Sequence, residues 1–148
     1  MRNIVLFVLI LSLLLTSACL KRNNPLDPSG NAGIGAAPEN VSNLVCVGSV
    51  ASNPQKFVRL NWDVNSDETT SGYYVYRGFS YNSDFARVGT VESNTGQFIH
   101  TETNGVPVMP GRYWYQVSGF KDHYDPDSGQ YWGRLEGRRT SPAYVEVK

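Results

Sequence analysis

Val58-Arg59-Leu60-Asn61-Trp62 and, a little further on, Gly72-Tyr73-Tyr74-Val75-Tyr76-Arg77 decide between helix and sheet. In the first stretch Val58, Leu60 and Trp62 fall on one face, and Phe57, Arg59 and Asn61 on the other. In the second, Tyr73, Val75 and Arg77 oppose Tyr74 and Tyr76. A period of two is the signature of a half-buried strand. Beyond Pro38 no apolar residues recur at three and four over a dozen positions, so no helix is expected. Five more runs with strand character cover 44–47, 87–91, 97–101, 113–120 and 144–147. The turn residues Ser52-Asn53-Pro54, Ser71-Gly72, Asn94-Thr95-Gly96 and Pro110-Gly111 separate the runs. Seven short strands over residues 38–148 predict an all-β, antiparallel sandwich.

Taken with Pro110-Gly111-Arg112-Tyr113-Trp114-Tyr115-Gln116-Val117-Ser118 and the closing Arg139-Thr140-Ser141-Pro142, the same stretches resemble a fibronectin type III domain. The resemblance implies a seven-stranded immunoglobulin-like β-sandwich over 38–148. It implies Trp62 as the central core tryptophan, Tyr73 and Val75 as the inward pair of the third strand, and Val117 in the same core. Tyr113 would be the tyrosine that bonds back to the upstream backbone.

Composition agrees with one such domain. Of 148 residues, 41% are hydrophobic and 18% charged, which excludes a disordered chain, a collagen-like repeat and a multidomain enzyme. Thirteen basic residues balance thirteen acidic ones, so nothing draws the chain to nucleic acid as a polyanion. Cys19 and Cys46 are too few for a disulfide framework, and Cys46 reads as a buried thiol on the face of Leu44.

The amino terminus reads as an address. After Arg2, residues 4–15 are Ile, Val, Leu or Phe except for Ser12. Such a helix rises about 18 Å against roughly 30 Å of bilayer hydrocarbon, too short to span and right for a secretory signal. Thr16-Ser17-Ala18-Cys19 resembles the lipobox of bacterial lipoproteins, although the family most often has Leu where Thr16 stands. The resemblance implies a signal peptide at 1–18 and a Cys19 carrying diacylglycerol and a further acyl chain such as palmitate, so that membrane lipid is its first partner. Several chains, at about 0.8 kcal/mol per buried CH₂, make attachment effectively permanent. Leu20, where Asp would signal inner-membrane retention, implies a cell-envelope protein of the outer membrane. A cleaved leader and a freely secreted protein is the alternative. Residues 19–37 form the lipidated cysteine and a flexible linker, rich in Pro, Gly and Asn and unable to bury enough surface to fold.

Few residues invite catalysis. His100 and His123 are the only histidines, and no Gly-x-Ser-x-Gly, phosphate loop or HExxH is present, so no enzyme, metal or cofactor beyond the lipid is expected. His100 is expected at or near the surface, and Arg138 and Arg139 on a solvated strand edge. Residues 121–134 form a longer connection than the fibronectin type III family usually has, with a turn signal at Asp125-Pro126-Asp127-Ser128-Gly129. It is expected to rise as a hairpin with Tyr124 facing Tyr131 and Trp132. Tyr124, Tyr131, Trp132, Asp125 and Asp127 are the candidate binding residues for a glycan or envelope protein, since Tyr and Trp grip at low entropic cost. The alternative is that these aromatics pack on one another and on Phe79 or Tyr81. Calcium at Asp122, Asp125 and Asp127 is a weaker reading, because the spacing is not that of an EF-hand. The expected function is a non-catalytic binding or spacer module, with a structural envelope subunit docking by its sheet edges as the other reading.

Overall fold

The computed structural model describes residues 37–101 and 106–148; the leader, Cys19 and the linker up to residue 36 lie outside them. Eight strands form: β1 (Val45–Gly48), β2 (Phe57–Asn61), β3 (Gly72–Gly78), β4 (Ala86–Glu92), β5 (Gln97–Thr101), β6 (Gly111–Tyr124), β7 (Tyr131–Glu136) and β8 (Ala143–Val147). They build two antiparallel sheets, one ordered β1-β2-β5, the other β4-β3-β6-β7 with β8 also on β6. No helix occurs among the described residues.

The strand count corrects the expected seven. β6 runs for 14 residues, well past the predicted end at Phe120. Its lower half pairs with β8 and its upper half with β7, the strand added to the expected seven. Between the two partners, residues 137–142 leave the ladder but stay tied to β6. Gly137 N–H donates to Gly119 O (2.9 Å) and Thr140 N–H to Val117 O (2.9 Å), while Thr140 Oγ1 accepts from Val117 N–H (3.1 Å).

The inward residues of both sheets make one core, in which Val58, Leu60, Trp62, Tyr73, Val75, Tyr113, Tyr115 and Val117 are all buried. Trp62 meets Tyr73 edge-on, with centroids 5.4 Å apart. Tyr113 Oη donates to Met109 O (2.8 Å) and accepts from Met109 N–H (3.2 Å), which is the backward bond of a tyrosine corner. His100 is a correction: it is fully buried, with Nδ1 2.8 Å from Tyr115 Oη. It pairs with Val58 and therefore points inward, while Ile99 takes the outer face. Arg77 also turns inward, donating to the carbonyls of Val106 (3.1 Å) and Pro107 (3.0 Å).

Every residue of β3 is buried, on both faces. Outside the sheet, Tyr74, Tyr76 and Phe120 form a second cluster, and arginines from elsewhere in the chain cover it. Arg87 lies 4.6 Å from the Tyr74 ring centre and Arg139 3.7 Å from that of Tyr76. Arg139 thus caps an aromatic in the 137–142 crossover and does not sit on a strand edge as expected.

The chain enters beside that crossover. Pro38 is buried, and Gly119 and Gly137 make room for it: a Cβ on Gly137 would stand 2.9 Å from the Pro38 carbonyl oxygen.

Candidate functional site

Above Phe120, β6 and β7 project as a two-stranded hairpin closed by a turn that Asp125 organises. Its Oδ1 accepts from the N–H groups of Asp127 and Ser128, both at 2.9 Å. Those two amides hold the Asp125 carboxyl below the usual carboxylate range. Gly129 N–H donates to Asp125 O (2.8 Å) at φ 69°, a left-handed conformation that suits glycine. Asp125 is therefore spent on the turn, while the Asp127 side chain stands at the exposed tip.

The tip aromatics come together in part. Tyr124 pairs with Tyr131 across the ladder, ring centroids 5.4 Å apart at 61°, and they remain 55% and 52% exposed. Trp132 behaves differently. The register shifts between His123 and Tyr124, so that Trp132 is the extra residue of a β-bulge beside Gly133, whose φ is 145°. The bulge re-aims the indole, and Trp132 is half-buried. Phe79 and Tyr81 do not contribute: they follow β3 at the opposite end of the sandwich, where Phe79 packs on Tyr113 with centroids 5.8 Å apart.

Below the tyrosines lies an ion pair that sequence reading did not single out. Arg134 spans Asp122 with two bonds, Nε to Oδ1 at 2.7 Å and Nη2 to Oδ2 at 2.8 Å. Its third edge donates to Tyr74 Oη (2.8 Å), and its plane covers Phe120. The guanidinium bonds hold the Asp122 carboxyl below its ordinary range, and the same bonds push Arg134 up. Tyr131 Oη adds a long contact to Asp122 at 3.4 Å. With Asp122 committed to Arg134 and Asp125 to the turn, the three aspartates do not converge, and no group of three metal-ligating side chains exists among the described residues. The legible signal for this pair was the outward position shared by Phe120, Asp122 and Tyr124 on one strand.

A groove of about 440 Å³ opens between the hairpin base and the β4–β5 turn, lined by Ser71, Thr90, Glu92, Phe120, Asp122 and Arg134 among others. Hydroxyls, two carboxylates, a guanidinium and an aromatic edge border it, with the tyrosine pair above. That set suits hydrogen bonding to a polyhydroxylated or peptide ligand and lacks a nucleophile beside a base. Cys46 is half-buried against the core, and burial pushes its thiol up to about 12. The candidate lipid site, Cys19, lies outside the described residues.

No family model matches the chain, and no curated protein matches it. Among solved structures, an Fn3-like protein from Clostridium thermocellum superposes with a TM-score of 0.51 at 16% identity, over 76% of this chain and 96% of that one. The spore cortex lytic enzyme SleM of Clostridium perfringens gives a TM-score of 0.43 at 15% identity, over 75% of this chain and 29% of that one. The first likeness shows the fold: the described residues form an Fn3-like sandwich.

Proposed function

We propose that this chain is a bacterial lipoprotein, anchored through an acylated Cys19, that displays its Fn3-like sandwich as a non-catalytic binding or spacer module. The 121–134 hairpin is its binding tip, and a glycan or an envelope protein is its partner. The observation that carries the reading is the exposed Tyr124–Tyr131 pair standing on a base locked by Asp122 and Arg134. Exposed rings on a rigid base lose little entropy on binding, so contact area converts to affinity efficiently. The anchor rests on the sequence of 1–19, and Leu20 favours the outer membrane.

Buried Pro38 brings the linker in at the base of the hairpin, five residues of β6 below Tyr124, or about 17 Å. The linker of 19–37 then has to let the tip turn away from the anchoring surface. Retention of the full chain on glycan and envelope-protein arrays, compared with Tyr131→Ala, tests the reading; equal retention of both overturns the binding tip.

A further inference from the structure

The 137–142 crossover and the entering chain face each other across an open groove of about 510 Å³, lined by Asn40, Gln116, Arg138, Arg139 and Ser141 among others. We propose that this groove is a binding site for a phosphate-type oxyanion.

Two guanidinium groups line it, and none of its lining residues is Asp or Glu. Arg138 has no ion-pair partner among the described residues. Arg139 lies over Tyr76, its guanidinium carbon 3.7 Å from the ring centre, which fixes it. Its nearest carboxylate, Glu136, stands 3.7 Å away. The same Glu136 oxygen also accepts from Tyr76 Oη (2.7 Å) and Ser118 Oγ (2.6 Å), so this ion pair holds Arg139 in place from its Nε side. Gln116 is held at the wall by its bond to Thr140 O (2.9 Å), and the exposed Ser141 contributes a hydroxyl.

Arg138 brings the site a positive charge unpaired among the described residues, and Arg139 a second guanidinium whose charge Glu136 partly balances. Guanidinium forks match tetrahedral oxyanions with several acceptor oxygens. Free phosphate and the phosphodiester of a lipid headgroup share that chemistry, and Pro38, two residues before Asn40, sets the groove where the chain leaves toward residue 36. The inference depends neither on the lipid at Cys19 nor on the hairpin.

The test uses the full chain in dodecyl maltoside, a surfactant without phosphate, following the arginine Nε–H resonances. Titrating inorganic phosphate against chloride at constant ionic strength is expected to shift Arg138 and Arg139 saturably. Arg138→Gln, which removes an exposed side chain, is expected to weaken the affinity about tenfold, while Tyr131→Ala leaves it unchanged. Mixed micelles of the same surfactant with phosphatidylglycerol form the second arm: shifts there without added phosphate assign the headgroup as the source, and shifts with inorganic phosphate alone assign the free ion. No specific shift in either arm, or an Arg138→Gln titration identical to the parent's, overturns the site.

Discussion

The Arg134 guanidinium lies flat over Phe120, its central carbon 3.8 Å from the ring centre, and from there reaches both oxygens of Asp122 and the hydroxyl of Tyr74. One side chain of β7 is thereby fastened to two strands of the sheet. A hairpin held only by its own ladder is marginal in water; this one is stapled at its base by stacking and charge together.

The staple titrates. Asp122 is held below its ordinary range in the folded chain, so its contribution is present above the unfolded carboxylate value of about 4 and is lost as pH falls through the lower folded value. The Arg134 Nε–H resonance should stay sharp at pH 5 and fade on acidification, well before the core melts. Asp122→Asn should remove that pH dependence. A signal equally sharp at pH 2 would show that the pair does not hold the hairpin.

Trp62 carries the core prediction. Trp62→Ala should cost about 3–5 kcal/mol in chemical denaturation, because it opens a cavity beside Tyr73 between the sheets. The indole N–H makes no hydrogen bond, so Trp62→Phe should be clearly milder. Equal costs for the two would place the energy in a polar contact rather than in packing.

The period of two in 57–62 and 72–77 was enough to read the sandwich, since alternation directly encodes which side of a sheet is buried. The same alternation misled at two places. Tyr74 and Tyr76 alternate correctly yet are buried, because the groups that cover them, Arg87 of β4, Arg134 of β7 and Arg139 of the 137–142 crossover, come from other parts of the chain. His100 points inward because the hydroxyl of Tyr115, fifteen residues away, receives it. In the hairpin the turn and the facing of Tyr124 and Tyr131 were legible from local chemistry. The fate of Trp132 was not, because a bulge shifts the register without changing any residue type.

The tip aromatics separate binding from folding. Tyr124 and Tyr131 are more than half exposed, so Tyr131→Ala should move the melting temperature by little, within the roughly 0.5 kcal/mol typical of surface changes. Trp132 is half-buried in the bulge, and Trp132→Ala should cost more stability than Tyr131→Ala. If the order is reversed, the indole and not the tyrosine is the exposed gripping surface.

The two thiols give a count that bears on the anchor. Burial raises Cys46 to about 12, so at pH 8 roughly one part in ten thousand is thiolate, and alkylation of the folded sandwich should be very slow. The sign for stability follows: the contribution is intact below the unfolded thiol value near 9 and is lost as pH rises toward 12. In denaturant Cys46 should react at once. A chain purified from its membrane should then take up one equivalent of iodoacetamide when fully unfolded if Cys19 carries a thioether lipid, and two if Cys19 is a free thiol. Two equivalents, read by mass spectrometry on the intact chain, would remove the lipid anchor while leaving the sandwich and its oxyanion groove untouched.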